Sequence, residues 1–234
     1  MCETILEVIT CSVADAIEAK KGGAGRLEVV RDLDRGGLTP SVELVRAIKE
    51  AVDLPLRVMV RESDGYQTSG EAEIERLCAA ADEFARLDVD GLVLGFLNGK
   101  TIDLDLMGRI LAAAPRLKAT FHHAFEDAAD QLQAISEIKK LSQVDRILSH
   151  GGSGNLEERG QRLDAYVHAA APAITIIAGG RIDSRAIALL RHTTAIQEFH
   201  VGRGARREFR VDGEVQSELV RALTDSMNIS SDAS

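Results

Sequence analysis

The stretch Lys118-Ala-Thr-Phe-His-His-Ala-Phe-Glu-Asp127 decides how the fold of this chain is interpreted. It begins as a short apolar strand, continues through two adjacent histidines and reaches acidic residues before the next helical pattern starts. A strand that presents titratable side chains at its carboxyl end is the usual way in which an α/β protein builds a reactive site. The stretch therefore predicts an α/β fold whose functional groups follow its strands.

The same unit, a strand followed by a helix, occurs eight times along the chain. The predicted strands are residues 4–9, 26–30, 55–61, 91–97, 117–122, 144–149, 174–178 and 196–201. Strands that alternate with helices imply right-handed crossovers and a parallel sheet. Eight such units within 234 residues favour a closed (β/α)8 TIM barrel, with a doubly wound open sheet as the alternative.

Nothing in the sequence divides the chain into separate domains. No Pro- or Ser-rich linker occurs between Glu3 and Leu223, so a single barrel domain over residues 1–226 is expected. The small polar residues at 227–234 predict a disordered tail.

Composition excludes several classes of function. The net charge of −9 argues against a nucleic-acid-binding surface, which needs clustered Lys and Arg. No apolar window approaches the ~18 residues of a membrane span, and the amino terminus lacks the pattern of a secretory signal. The three cysteines, Cys2, Cys11 and Cys78, show no paired spacing. We therefore expect a cytoplasmic protein with free thiols that contacts neither membranes nor nucleic acid.

Polar side chains lie at or near the carboxyl ends of several predicted strands, which form the active-site face of a (β/α)8 barrel. The candidate catalytic residues are Glu7, Glu28, Arg61, His122, Glu198 and His200. A barrel strand has no solvent face, so Glu7 and Glu28 need buried partners. Two interpretations remain for these glutamates: a functional place inside the barrel, or a structural salt bridge with Arg26 or Arg61.

The alternation of side chains along a strand separates the histidines. Thr120 and His122 share one strand face, whereas His123 points to the opposite one, where packing is an equally good explanation. His150 follows a strand in a loop, and loop histidines are often merely solvated. The roles of His123 and His150 stay open at this stage.

Glycines follow the last two strands and form a second constellation. They are Gly179, Gly180, Gly202 and Gly204. In (β/α)8 enzymes these two loops often hold a phosphate on backbone N–H groups, and glycine permits the close approach. The four glycines therefore predict a seat for a phosphate or carboxylate, with Arg181, Arg203 or Arg206 supplying charge. Alternatively, they only end strands and begin turns.

Several segments resemble one known family in the order of its motifs. They include Gly36-Gly-Leu-Thr-Pro-Ser41, Thr120-Phe-His122 with Ala124-Phe125, Ala178-Gly-Gly180 and Phe209-Arg-Val-Asp-Gly213. With these segments the chain resembles the CutC family, named copper homeostasis proteins, over about residues 4–225. The resemblance implies a (β/α)8 barrel, a cytoplasmic and often homo-oligomeric protein, and copper as the bound metal.

The chain departs from that family at its copper-binding cysteines. Two of them align with Ile9 and Val30, and copper(I) prefers soft thiolate or thioether ligands. Cys11, near the first position, is the remaining candidate for copper. His122 and His200 are candidates for a harder metal such as zinc or manganese.

Two functions are open from the sequence, and the partner in both is a small molecule or a metal ion. The first is copper binding in copper homeostasis, as the resemblance implies. The second is a TIM-barrel enzyme for a small anionic substrate, with or without a phosphate group. In that enzyme Glu7 or Glu28 is the general base, His122 and His200 are acid, base or electrophile, and Arg61 clamps the anion.

Overall fold

A computed structural model describes residues 4–228, which form ten strands and eight α-helices. The strands are β1 Ile5–Thr10, β2 Arg26–Val29, β3 Leu56–Met59, β4 Gly91–Leu94, β5 Leu97–Asn98, β6 Thr101–Ile102, β7 Lys118–Phe121, β8 Val144–Ser149, β9 Thr175–Ala178 and β10 Glu198–Val201. The helices are α1 Val13–Gly22, α2 Val42–Ala51, α3 Glu71–Arg86, α4 Leu104–Ala113, α5 Gln131–Ile138, α6 Leu156–Ala170, α7 Ser184–Thr193 and α8 Ser217–Met227.

Eight of these strands pair in parallel and close into a barrel. The order around it is β1-β10-β9-β8-β7-β4-β3-β2, and β2 pairs with β1 again. This closure confirms the predicted (β/α)8 barrel and excludes the open sheet. The short antiparallel pair β5–β6 lies in the connection between β4 and α4 and was not predicted.

The helices begin and end where local side chains satisfy the backbone. Ser12 accepts a hydrogen bond from the Asp15 backbone nitrogen at 3.0 Å and so caps α1. The helix ends at Gly23, whose φ of 94° is easiest for glycine. Before α6, Asn155 and Glu158 form a capping box.

The chain ends of the described region differ slightly from the prediction. The last helix, α8, begins at Ser217 and continues through Met227, the first residue of the predicted tail. Residues 229–234, which make up most of that tail, lie outside the described residues. Among the helices between residues 4 and 228, none combines the length and the hydropathy that a membrane crossing requires.

The buried side chains lie in two environments, one between the barrel and its helices and one inside the barrel. The main apolar core includes the strand residues that face the helix layer, such as Leu27, Val58 and Phe121. Inside the barrel, a second apolar cluster on β1 to β4 is formed by Ile9, Val30, Met59 and Val93. The other buried side chains of the interior are largely charged, and they build the site.

Candidate functional site

The register of three adjacent strands brings the first site residues together. Glu7 on β1 lies opposite His200 on β10 and opposite Arg26 on β2. Glu28 pairs with Ile9, two residues farther along β1. Neighbouring strands in a sheet lie about 5 Å apart, so these side chains meet inside the barrel.

Glu7 is fully buried and has both carboxylate oxygens in use. Arg26 Nε donates to Glu7 Oε2 at 2.5 Å, and His200 Nδ1 lies 2.8 Å from Glu7 Oε1. Burial alone would raise the pKa of Glu7, but the charges of Arg26 and His200 outweigh it and hold that pKa well below its usual range. Because an ionised carboxylate can only accept, His200 Nδ1 carries the proton.

Glu28 is buried like Glu7 but lacks its partners. Its Oε2 atom has no hydrogen-bond partner among residues 4–228, and it lies 4.0 Å from His200 Nδ1. Burial raises the pKa of Glu28 to about 7, and the nearby negative charge of Glu7 acts in the same direction. A carboxyl with this pKa can donate or accept a proton near neutral pH.

His200 lies close to both glutamates, 2.8 Å from Glu7 and 4.0 Å from Glu28. Burial lowers the pKa of His200, but the carboxylates of Glu28 and Glu7 outweigh it and the net direction is upward. The carboxylate of Glu28 thus favours the protonated form of His200, and the charge of His200 favours the ionised form of Glu28.

A line of ion pairs continues from Glu7 toward the amino ends of the strands. Arg26 Nη2 donates to Glu198 at 2.6 Å, and Arg146 Nε donates to the same carboxylate oxygen at 2.9 Å. Arg146 also pairs with Asp145 at 2.5 Å, and Arg57 donates to both oxygens of Asp145 at 2.9 and 3.0 Å. Glu198 is thus held in a structural network, which the sequence did not reveal because its partners are far away along the chain.

A cavity of about 250 Å³ opens above this network, at the carboxyl ends of the strands. Four of the six predicted catalytic residues line it: Glu28, Arg61, His122 and His200. Glu7 and Glu198 lie below the cavity, where Glu7 holds His200 and Glu198 holds Arg26. Four of the six therefore line one cavity, and the other two contact His200 or Arg26 beneath it.

Arg61 and Tyr66 form one wall of the cavity. Arg61 Nη2 donates to the Arg35 carbonyl oxygen, while its Nε atom has no partner among the described residues. The Arg61 Cζ atom lies 5.9 Å from the centroid of the Tyr66 ring, a cation–π distance. Burial lowers the pKa of Arg61, though an arginine stays charged. Tyr66, on the loop after β3, was not predicted.

His122 faces the same wall as a neutral side chain. Its Nδ1 atom accepts a hydrogen bond from the Ala124 backbone nitrogen at 3.2 Å. Burial, aided by the charge of Arg61, lowers the pKa of His122 to about 3. Since Nδ1 accepts, the proton sits on Nε2, which is buried and without a partner in the described part of the chain. His122 therefore keeps an unused hydrogen-bond donor beside the cavity that it lines.

The structure also places the two histidines whose roles were open. His123 lines the cavity, and its ring centroid lies 6.3 Å from that of His200 and 6.0 Å from that of His150. Burial and the neighbouring His200 lower the pKa of His123 to about 3. The His150 backbone nitrogen donates to Glu126 at 2.6 Å, which fixes the loop after β8. Glu126 was not among the predicted residues.

The glycine loops contribute part of the cavity wall. Gly180, Gly202 and Gly204 line the cavity together with Arg181 and Arg203. These loops thus supply backbone and two guanidinium groups at the place predicted for an anion.

Two residues of that prediction, Gly179 and Arg206, do not line the cavity. The Gly179 nitrogen donates to the Ser149 carbonyl oxygen at 2.8 Å, and a Cβ there would lie 2.7 Å from a Leu148 methyl group. Arg206 is buried against Asp15 at 2.9 Å and the Ile9 carbonyl at 3.0 Å. Both therefore support the loops structurally.

The two cysteines within residues 4–228, Cys11 and Cys78, do not form a copper(I) site. Burial raises the pKa of the Cys11 thiol to about 11, so the thiolate that copper(I) prefers is disfavoured. Ile9 and Val30 are apolar and belong to the cluster inside the barrel. Met59 supplies a single thioether to the cavity wall. These residues do not fit copper(I).

A harder cation has one possible donor group in the described residues. Donor atoms of Glu7, Glu28 and His200 lie within 4.8 Å of one another. Arg26 already pairs with Glu7 at 2.5 Å, and the proton on His200 Nδ1 points to Glu7. A cation between them would have to displace that proton next to a fixed guanidinium group. The arrangement is better suited to sharing a proton than to holding a metal.

Comparison with known proteins gives a family and a fold. The model of the CutC family matches residues 4–205. A CutC family protein from Xylella fastidiosa is 34% identical over 196 residues, which cover 83% of this chain and 73% of the relative. The human copper homeostasis protein cutC homolog is 30% identical over 205 residues, covering 87% of this chain and 75% of the relative.

Solved structures with the same barrel fold are also similar to this chain. A crystal structure of CutC from Streptococcus agalactiae superposes with a TM-score of 0.77 at 26% identity, over 84% of this chain and 97% of that one. Thiamine phosphate pyrophosphorylase from Pyrococcus furiosus has a TM-score of 0.61 at 16% identity, with 96% of each chain covered. The second likeness concerns the barrel fold alone.

Proposed function

This chain belongs to the CutC family, and we propose that it is a barrel enzyme that moves a proton on a small anionic substrate. The observation that carries this proposal is the Glu28 carboxyl group. It lines the cavity, one of its oxygens has no partner among residues 4–228, and its pKa is raised to about 7. A poised carboxyl in a cavity is the usual form of a general acid–base catalyst.

The neighbouring groups divide the remaining tasks. Glu28 takes a proton from the substrate. His200, whose Nδ1 atom is held by Glu7 at 2.8 Å, donates or accepts a proton through its Nε2 atom. His122 donates its Nε2 proton to an oxygen on which negative charge develops. A neutral histidine suits this role because it adds a hydrogen bond without competing for the abstracted proton.

The cationic groups of the cavity define the substrate as an anion. Arg61 lies on one side of the cavity, and Arg181 and Arg203 lie on the glycine loops. Guanidinium groups bind carboxylates and phosphates in a fixed planar geometry. We therefore assign the glycine loops to a phosphate or carboxylate and the Glu28 side of the cavity to the reacting carbon.

Deuterium exchange at carbon tests the proposal without knowledge of the natural product. Small phosphorylated and carboxylated carbonyl compounds are incubated with the protein in D2O, and loss of the C–H signal beside the carbonyl is followed by NMR. Wild-type protein should catalyse exchange with at least one compound. Glu28→Gln should slow it by about 100-fold or more, the usual contribution of a general base.

The matched control is Glu50→Gln, which removes an exposed carboxyl from α2. It should leave the exchange rate unchanged. Full exchange by Glu28→Gln, or no exchange with any compound of the panel, would argue against the proposed reaction.

Metal binding is the second candidate, because the relatives carry the name copper homeostasis and three donor groups lie close together. In this version Glu7, Glu28 and His200 hold a divalent metal, or Cys11 holds copper(I). Elemental mass spectrometry of the purified protein and competition with a strong copper(I) chelator separate the two candidates. We expect no stoichiometric metal and complete loss of copper(I) to the chelator. Copper(I) retained near one equivalent, and lost on Cys11→Ala, would favour copper handling instead.

A further inference from the structure

A second concave surface, which we call the groove, adjoins the cavity. It has a volume of about 620 Å³ and lies between the start of α7, the loop after β10 and one side of α8. Its apolar residues include Ile182, Leu219 and Leu223. Four residues line both the groove and the cavity: Arg181, Ile182, Arg203 and Gly204. The two spaces therefore share one wall.

Arginines surround this apolar surface. Arg181, Arg185 and Arg203 line the groove, and within residues 4–228 none of them forms an ion pair with a carboxylate. Asp183 also lies there, but its side chain accepts a hydrogen bond from the Ala186 nitrogen at 2.8 Å and caps α7. In a chain of net charge −9, three arginines around an apolar surface are complementary to an anion with an apolar body.

The groove also exposes an aromatic side chain on a strained backbone. Phe209 lines it and is 62% exposed. Phe209, the preceding Glu208 and Arg181 have φ values of 55°, 55° and 59°, in the left-handed region that such residues rarely adopt. Strained residues of this kind cluster at ligand sites, which agrees with a functional groove.

We propose that the cavity and the groove bind one amphipathic anion. Its phosphate or carboxylate group lies at the shared wall against Arg181 and Arg203, its apolar body lies in the groove, and its reacting end enters the cavity toward Glu28. This assignment rests on the proposed function, because the same molecule would be the substrate of the proton transfer. The apolar floor, the shared arginines and the exposed ring each contact a different part of such a molecule.

A series of ligands of increasing length tests the groove. Inorganic phosphate, ethyl, butyl and hexyl phosphate, and the matching alkyl carboxylates, are titrated calorimetrically into the wild-type protein. Affinity should rise by about two- to fourfold per methylene group as the chain enters the groove. The series that binds more tightly identifies the head group. Arg203→Gln should weaken every member by about tenfold, inorganic phosphate included.

Two further variants separate the groove from the anion seat. Phe209→Asn should flatten the dependence on chain length and leave inorganic phosphate unaffected, and asparagine tolerates the left-handed backbone. The control Leu132→Asn removes an exposed leucine from α5, away from the groove, and should change neither value. An affinity independent of chain length in the wild type would overturn the inference. A second outcome would also overturn it: Phe209→Asn keeps the dependence on chain length but changes the oligomeric state in sedimentation. The groove would then be a contact between two copies of the chain.

The two proposals can fail separately. Glu28→Gln should bind the alkyl series like the wild type, because Glu28 contacts only the reacting end. A chain-length dependence without proton exchange would remove the proposed reaction and keep the groove. Proton exchange without a chain-length dependence would remove the groove and keep the reaction.

Discussion

Glu7 and Glu28 stand on adjacent strands, and both are buried, yet their surroundings drive their acidities in opposite directions. Arg26 and His200, which lie 2.5 and 2.8 Å from the Glu7 carboxylate, keep Glu7 ionised. The Oε2 atom of Glu28 has no hydrogen-bond partner within residues 4–228, and His200 lies 4.0 Å away, so desolvation prevails and the pKa of Glu28 rises to about 7. Two carboxyls with separated pKa values can serve as a fixed anion and a titrating acid in one site.

The raised pKa of Glu28 predicts a stability that falls as pH rises. The folded protein keeps the Glu28 proton up to about pH 7, whereas the unfolded chain releases it at the ordinary value of about 4.3. The contribution of Glu28 to stability is therefore present at low pH and is lost between these two values. Glu28→Gln removes the loss, and at pH 8 it should raise the free energy of unfolding by up to about 3 kcal/mol.

Urea unfolding at pH 5 and pH 8 measures this difference. The gain of Glu28→Gln over wild type should be larger at pH 8, while Glu50→Gln should show no such pH dependence. A gain of equal size at both pH values would mean that Glu28 is not the titrating group.

At the scale of single elements, a glycine at the start of β4 makes room for a buried ion pair inside the barrel. Gly91 begins β4 beside Arg57, which is 1% exposed. A Cβ at Gly91 would lie 2.5 Å from the Lys118 carbonyl oxygen and 2.7 Å from Arg57 Nη1. Glycine at this position leaves the space that the buried guanidinium group needs.

Two glycine substitutions should therefore act in opposite directions. Gly91→Ala should lower the free energy of unfolding by about 1–3 kcal/mol, because it crowds β4 against Arg57 and β7. Gly108→Ala, in α4, has open space around the new Cβ and should raise it by about 0.5–1 kcal/mol through helix propensity. Denaturant midpoints of the two variants measure both effects. A Gly91→Ala protein as stable as the wild type would show that Arg57 can move aside.

The elements themselves could be predicted because their signals are local. Apolar runs bounded by glycine, proline and capping residues located all eight barrel strands, and the parallel alternation favoured the barrel. The two-residue strands β5 and β6 leave no periodic pattern, so they could not be predicted. The partners of Glu198 were also missed, because Arg26 and Arg146 lie 172 and 52 residues away along the chain. Only the closed barrel places them side by side.

At the scale of the whole molecule, a buried ion pair outside the cavity joins the first and last units of the barrel. Arg206, after β10, contacts Asp15 of α1 at 2.9 Å and the Ile9 carbonyl at 3.0 Å. Asp15 also accepts hydrogen bonds from the backbone nitrogens of Cys11 and Val215. The pair thus ties the loop that follows β1 to the segment that leads into α8, where the barrel closes and the groove begins.

Loss of this pair should destabilise the entire barrel rather than a single loop. Arg206→Met leaves the Asp15 carboxylate buried without its counter-charge, which should lower the free energy of unfolding by about 3–5 kcal/mol. Arg210→Met removes an arginine of similar sequence position from an exposed pair with Asp212 and should cost less than about 1 kcal/mol. Urea unfolding gives both values.

Hydrogen exchange should show faster opening of β1 and β10 together in Arg206→Met, because the pair couples the two ends of the chain. Faster exchange confined to the loop after β10 would show that barrel closure does not depend on this pair.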